Sequence, residues 1–192
     1  MLIFVVLMSI LTTSSFADNN VIGWAKICTK VNRNDICNVQ YNILTNTGHL
    51  ITGVNLLQST GRLNRRIFQI AVPSGRYVPE GIKMKIDNGK ESTLPYSICL
   101  SERCVAEVTL TDSIIEELKT GNVLVLTSTN FRTEKNPVNI SLKGFTDSFE
   151  GPPLKRHEFE ERNQKLEREL RKKAEKTLLK LEEVQEKAKS GG

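Results

Sequence analysis

The four cysteines are the residues of this chain whose type and spacing come closest to a chemical site. Cys28 and Cys37 are separated by eight residues, and Cys99 and Cys104 by four. A four-cysteine zinc site normally has about two residues between the cysteines of each half, and a redox-active pair needs the same short spacing at the start of a helix. Neither pattern is present, so the spacing favours one disulfide bond within each pair.

Each cysteine pair flanks a short polar turn, formed by residues 32–35 in the first case and 100–103 in the second. Facing residues of an antiparallel hairpin bring their Cα atoms to about 4.5 Å, which a disulfide bond can span. We therefore predict Cys28–Cys37 and Cys99–Cys104 bonds that staple two hairpins. Loops this short contribute about 2 to 3 kcal/mol each, so an apolar core must supply most of the stability.

Other catalytic residue patterns are scarce. The two histidines, His49 and His157, do not form a ligand-spaced pair, and the chain has no Gly-x-Ser-x-Gly motif or phosphate-binding glycine loop. We therefore expect a protein that is not an enzyme and needs no metal or cofactor. An active site assembled from distant loops is the alternative, because such a site leaves no local signature.

The N-terminus indicates where disulfides would form. Residues 1–17 carry an apolar run from Leu2 to Met8 and end in Ser15-Phe16-Ala17, which is typical of a secretory signal peptide cleaved after Ala17. A membrane-spanning helix needs about 20 apolar residues, and this run is shorter. An uncleaved interfacial anchor is the alternative. Export to an oxidising compartment agrees with the even number of cysteines.

Residues 18–150 show the hydrophobic alternation of β-strands. Ile82, Met84 and Ile86 alternate with polar residues, and 104–110 and 138–145 follow the same period of two. Many short strands separated by turn residues indicate a β-sandwich or barrel. The exception is 111–122, where N-cap candidates and a terminal glycine predict one short helix between two strands.

Five segments form a series in a fixed order: GWAKIC (23–28), VPSGRYVPEGIKMKID (72–87), PYSICLSERCVAEVTL (95–110), IIEELKTGNVLVL (114–126) and ISLKGF (140–145). Together with Cys37, this series resembles the invasion-associated locus B family of Gram-negative bacteria over roughly residues 21–150. The resemblance implies an all-β, immunoglobulin-like sandwich that is exported to the periplasm or cell surface. It also implies a link, in some members, to invasion of host cells, and it assigns no role to any residue.

The C-terminal region departs from this pattern. A Gly-Pro-Pro signal marks residues 151–154 as a linker, and 155–192 carry twelve basic and nine acidic residues, a net charge of +3. Oppositely charged residues four positions apart predict a long charged α-helix. Three interpretations of this tail are open: a solvated single helix, self-association through a weak coiled coil over residues 155–189, and docking on a partner or an anionic membrane.

Charge offers one further candidate surface. Residues 18–154 are nearly balanced, with fifteen basic and thirteen acidic residues, and Arg62, Arg65 and Arg66 are the compact basic cluster among them. The cluster is a possible partner surface for phosphate, sulfated glycan or a membrane, against the alternative of a solvated loop. Nucleic acid is disfavoured by export and by an aromatic content of 6%.

These observations predict an exported, non-catalytic interaction protein of the bacterial envelope that contributes to host-cell invasion. Its partner would be an unidentified protein in the envelope or on the host cell. Two other classes stay open. One is a structural periplasmic protein that oligomerises or bridges through its helical tail, and the other is an enzyme with a dispersed site.

Overall fold

The β-strands of this protein form two antiparallel sheets in the computed structural model, which describes residues 20, 21 and 23–190. The predicted signal peptide, residues 1–17, lies outside the described residues and stays a prediction. The strands are β1 Asn20–Val21, β2 Ala25–Val31, β3 Asn34–Leu44, β4 Leu50–Thr60, β5 Arg65–Pro73, β6 Ile82–Ile86, β7 Ser92–Leu94, β8 Tyr96–Cys99, β9 Arg103–Thr109, β10 Val123–Thr129 and β11 Lys135–Ser141. The helices are α1 Asp112–Thr120, α2 Phe145–Glu150 and α3 Arg156–Ser190, and Val78–Glu80 form a 3₁₀ turn.

The two sheets enclose one apolar core. The first sheet has the order β1-β3-β4-β5-β9-β8, with β2 also paired to β3, and the second has the order β11-β10-β6-β7. Alternate side chains of each strand point between the sheets, and the predicted face of Ile82, Met84 and Ile86 is buried. The core centre is formed by side chains with almost no exposed surface: Val54, Leu56, Phe68, Ile70, Ala106, Leu124 and Ile140.

The predicted short helix is confirmed as α1, which joins β9 to β10. The Thr111 hydroxyl oxygen accepts a hydrogen bond from the Ile114 backbone N–H at 3.3 Å, which caps the helix. Ile115 and Leu118 are buried on its inner face. Gly121 follows the helix, and a Cβ there would collide with an Ile86 methyl group, so a larger residue would not fit.

The chain forms a second short helix, α2, where the sequence predicted only one short helix before the tail. The strand predicted to reach residue 145 ends at Ser141, and Gly144 adopts a positive φ of 81°. This turn lets Phe145 begin α2 and insert its fully buried ring against Trp24, at 4.9 Å between centroids. The alternation of apolar and polar residues continues through Leu142, so the sequence pattern does not indicate that the strand ends at Ser141.

The predicted charged tail helix is confirmed as α3, which is 35 residues long. The Leu154 backbone N–H donates to the Lys26 carbonyl oxygen at 2.8 Å just before the helix begins. Further along, Leu170 Cδ1 would lie 4.0 Å from a Cβ placed on Gly48, in the turn between β3 and β4. Every helix residue from 175 to 189 is exposed. The first half of α3 therefore lies beside the sheet domain, and the second half extends beyond it.

Candidate functional site

The cysteines pair as the sequence predicted. Cys28 and Cys37 are directly opposite each other on β2 and β3, and Cys99 and Cys104 on β8 and β9. Both bonds therefore hold neighbouring strands, at Cα separations of 4.1 and 4.0 Å. All four sulfur atoms are bonded, which leaves no thiol for redox or metal chemistry.

The three arginines proposed as a partner surface do not share one face. Arg65 and Arg66 are adjacent in β5 and so point to opposite sides of the sheet. Arg66 Nη2 forms a 2.8 Å ion pair with Asp112 Oδ1 at the start of α1, while Arg62 and Arg65 are exposed. Arg66 therefore links β5 to α1, and the partner role of Arg62, Arg65 and Arg66 stays a prediction.

A cleft of about 990 Å³ lies at the end of the sandwich that carries the β3–β4 turn. The cleft lies where β4 and β5 of the first sheet stop pairing. β4 begins at Leu50, yet its pairing with β5 starts only at Gly53, opposite Ala71. Side chains from the second sheet, Ser128 and Val138, line the same cleft. A volume near 1,000 Å³ is at the upper end of the range for ligand pockets.

A row of polar side chains crosses the outer face of the first sheet into this cleft. Gln40, Asn55, Gln69 and Glu107 are directly opposite one another on β3, β4, β5 and β9. Gln69 Nε2 donates to Glu107 Oε1 at 2.6 Å, and Asn38 Nδ2 donates to Asn55 Oδ1 at 3.0 Å. These bonds fix the amide groups in place, so the wall they form is rigid and polar.

Arg76 closes the inner end of the cleft. Its Nη1 donates to Asn136 Oδ1 at 2.6 Å and its Nε to the Pro73 carbonyl oxygen at 3.0 Å, which ties the end of the first sheet to the second. Nearby, burial raises the pKa of the Tyr96 phenol above its ordinary value, and the Arg76 charge opposes part of that rise. Arg103, Glu102 and His49 also line the cleft, so it carries both signs of charge.

Exposed apolar side chains stand on the turns at this end of the domain. Phe131 is 70% exposed and Leu100 is 55% exposed. Their turns are joined through the segment after β5, because Ser74 N–H donates to the Glu102 carbonyl at 3.1 Å and Phe131 N–H to the Gly75 carbonyl at 2.9 Å. We call these two side chains the apolar rim. Neither side chain lines the cleft itself, but Leu100 lies two residues before Glu102, and Phe131 lies beside Gly75, the neighbour of Arg76, so both stand next to residues that line it.

The cleft presents amide, guanidinium, carboxylate and imidazole groups. The amides donate and accept hydrogen bonds, and the arginines donate them. In the part of the chain that the structure describes, no group of three or more His, Cys, Asp or Glu side chains is placed to hold a metal ion. None of the helices there is long and apolar enough to cross a membrane.

Sequence reasoning missed this cleft. Its polar residues are spread over six strands, β3, β4, β5, β9, β10 and β11, and the turns between strands, and they show no motif. The one available signal was the run of amide residues at alternate positions of β3, Asn38, Gln40 and Asn42, opposite the buried Val39 and Tyr41. The alternation of polar and apolar residues predicts only which side chains lie on the outer face of the sheet. The cleft lies where neighbouring strands stop pairing, which alternation does not show.

Comparisons with known proteins agree with the fold. Residues 24–153 match the family described as Invasion associated locus B (IalB) protein. Among solved structures, the chain is similar to invasion associated protein B from Bartonella henselae, at 18% sequence identity and a TM-score of 0.54. That similarity covers 66% of this chain and 87% of the Bartonella chain. No curated protein matches the chain.

Proposed function

This chain belongs to the invasion-associated locus B family, and we propose that it is an exported, non-catalytic protein that binds a protein partner through the cleft and the apolar rim. The observation that carries the proposal is the coincidence of the two features at one end of the sandwich. Two disulfide bonds and family membership support export. The proposal includes a location in the periplasm or on the cell surface of a Gram-negative bacterium. It also includes a contribution to host-cell invasion.

The apolar rim offers a direct test with a matched control. Phe131→Ser removes a 70% exposed ring beside the cleft, and Leu63→Ser removes a 67% exposed side chain from the β4–β5 turn at the opposite end of the domain. We expect the mature chain, residues 18–192, to retain partners from envelope or host-membrane extracts. The Phe131→Ser variant should lose about tenfold in affinity for the recovered partner, since exposed aromatic side chains often dominate interfaces.

Two outcomes contradict the proposal. One is equal loss of binding in both variants, which would indicate a general effect of removing apolar surface. The other is repeated failure to recover a saturable partner from either extract. Activity screening against envelope polymers tests the accompanying proposal that the protein is not an enzyme, and turnover that is lost in a cleft variant would overturn it.

A structural envelope role is the second candidate, and α3 favours it. Leu178, Leu181 and Val184 are all more than half exposed on the part of α3 that extends beyond the domain. Such a helix can join a second copy or bridge to another envelope component. The coiled-coil reading of this tail and the immunoglobulin-like arrangement of the strands both stay predictions.

A further inference from the structure

The inner end of the cleft brings together three side chains that donate hydrogen bonds. Ser128 and Asn136 are directly opposite each other on β10 and β11, so their Cβ atoms lie about 5 Å apart on the same face of the second sheet. Arg76 Nη1 donates to Asn136 Oδ1 at 2.6 Å, and all three side chains line the cleft. We call Arg76, Ser128 and Asn136 the donor cluster.

The hydrogen bond from Arg76 determines which way the Asn136 amide points. A guanidinium group only donates, so the oxygen of the amide faces Arg76 and the nitrogen, with its two N–H groups, faces away from it. Among the described residues, no acceptor lies within hydrogen-bond distance of this nitrogen. Asn136 therefore offers N–H donors to a group that enters the cleft.

Ser128 adds a hydroxyl group at the same point. The residue is 5% exposed, yet its side chain forms no hydrogen bond within the part of the chain that the structure describes. Buried hydroxyl groups nearly always have a hydrogen-bond partner, because leaving one unpaired is unfavourable. Since Ser128 lines the cleft, an acceptor can reach this hydroxyl from there.

Arg76 brings a positive charge to this end of the cleft. The side chain is half-buried and donates to two neutral oxygens, those of Pro73 and Asn136. Within the described residues, its guanidinium forms no ion pair with a carboxylate. Glu102 lines the same cleft but is exposed and forms no ion pair there. A charge that is partly removed from water is stabilised by an opposite charge, so the donor cluster favours an anion.

From these observations we infer that the donor cluster binds a carboxylate group at the inner end of the cleft. One guanidinium charge balances one carboxylate, and the planar fork of N–H groups matches its two oxygens. Ser128 and Asn136 supply further donors. The inference goes beyond the proposed function, because it names the chemical group that the inner end selects and does not depend on the apolar rim. A free organic acid and an acidic side chain of a protein both present this group.

Acetate is the first probe, titrated into the oxidised mature chain while sodium chloride is exchanged to keep the ionic strength constant. NMR follows the side-chain N–H signals of Asn136 and Arg76. We expect saturable shifts of both signals that chloride alone does not produce. Inorganic phosphate and sulfate should bind more weakly than acetate, since they bring more charge into a half-buried site than one guanidinium balances.

A peptide pair separates the two sources of the carboxylate. One pentapeptide has a central glutamate and blocked ends, and the other has glutamine in its place. Only the glutamate peptide should shift the Asn136 and Arg76 signals. Tighter binding of this peptide than of acetate would assign the carboxylate to a protein segment, and the reverse order would assign it to a small organic acid. Both orders support the inference.

Three variants separate the donor cluster from a general effect of charge. Ser128→Ala removes a hydroxyl that has no partner in the domain, so the variant should fold and bind acetate about fivefold more weakly. Arg76→Lys keeps the charge but loses the fork, and should weaken acetate binding about tenfold. Arg103→Gln is the matched control, because it removes an exposed arginine from the same cleft and should change the affinity by less than about twofold.

Four results overturn the inference. They are the absence of a saturable shift with acetate, an unchanged affinity in Ser128→Ala, an equal loss in Arg103→Gln and Arg76→Lys, and tighter binding of phosphate or sulfate than of acetate. Ser128→Ala decides the point if Arg76→Lys does not fold, since Arg76 also ties the two sheets. If acetate fails while the chain still retains a partner through Phe131, the proposed function stands and the carboxylate site is wrong.

Discussion

The indole N–H of Trp24 donates a 2.9 Å hydrogen bond to the carbonyl oxygen of Ser141. Trp24 immediately precedes β2 in the first sheet, and Ser141 is the last residue of β11 in the second. The indole is also packed against Tyr41, at 5.0 Å between centroids, and against Phe145. One side chain therefore joins the two sheets and α2.

Trp24→Phe should destabilise the domain by about 2 to 3 kcal/mol. The change removes the hydrogen bond to Ser141 and leaves space around a side chain that is 5% exposed. Denaturant unfolding measures the effect. A loss below about 0.5 kcal/mol would show that the contact between the sheets does not depend on the indole. Burial also raises the pKa of the neighbouring Tyr41 phenol above its ordinary value.

Asp87 should give the domain a pH-dependent contribution to stability. The backbone N–H groups of Asn122 and Val123 donate to its carboxylate at 2.9 Å each and hold its pKa below the ordinary value. A carboxyl group with a lowered folded pKa stabilises the protein above its unfolded pKa, about 3.9. That stabilisation is lost as the pH falls through the folded pKa.

The matching variant is Asp87→Asn, which tolerates the same positive φ of 46° but cannot accept both bonds with a charge. The parent should be more stable than the variant at pH 7, and the difference should shrink as the pH falls below about 4. Asp147→Asn, an exposed carboxylate on α2, is the control. Parallel stability curves for parent and Asp87→Asn over this pH range would contradict the assignment.

Arg66 and Arg65 should differ in their effects on folding, although they are neighbours in the chain. Arg66→Ala should cost about 1 kcal/mol, because it removes a half-buried stem and the link to Asp112 in the first turn of α1. Arg65→Ala should change the free energy of unfolding by less than about 0.5 kcal/mol. Equal effects in thermal or chemical unfolding would show that the two residues share one exposed surface.

The two halves of α3 should contribute unequally to domain stability. A chain that ends at Ala174 keeps the Leu154 hydrogen bond and the contact between Leu170 and the Gly48 turn, so it should unfold like the full chain. A chain that ends at Gly151 loses both and should be less stable by about 1 to 2 kcal/mol. Unfolding curves of the three chains decide the point, and three coincident curves would show that α3 does not contribute to the domain.

Light scattering of the same three chains tests self-association through residues 155–189. If the tail joins two copies, only the full chain should exceed the monomer mass as concentration rises, because Leu178, Leu181 and Val184 lie beyond Ala174. A monomer at every length and concentration would remove the structural role that α3 favours. The proposed binding role of the cleft is independent of this result.

The parts of the fold that depend on neighbouring residues could be predicted from sequence. Alternation placed Ile82, Met84 and Ile86 in the core, spacing paired the cysteines, and the cap at Thr111 located α1. The prediction from sequence failed where the local structure depends on residues that are far apart in the chain. Phe145 begins a helix because its ring fits against Trp24, 121 positions earlier, and no local pattern carries that information.

The candidate site was even harder to predict from local sequence patterns than the fold. The cleft lies where the pairing of β4 with β5 ends, at Gly53 and Ala71, and β4 residues 50–52 have no partner on β5. The sequence suggested a binding surface at Arg62, Arg65 and Arg66 instead. Arg65 and Arg66 are neighbours in β5, so their side chains point to opposite sides of the sheet. Sequence therefore predicted the disulfide pairing and the β architecture better than the binding surface.

Localisation of the protein in its own cell tests the central claim most directly. Intact cells would be treated with a membrane-impermeant label and then fractionated, and the protein would be isolated after alkylation of free thiols and analysed by mass spectrometry without reduction. The account predicts a chain that begins after Ala17, lies in the periplasm or on the surface, and contains Cys28–Cys37 and Cys99–Cys104 bonds. A cytoplasmic chain that retains residues 1–17 and carries alkylated cysteines would contradict it.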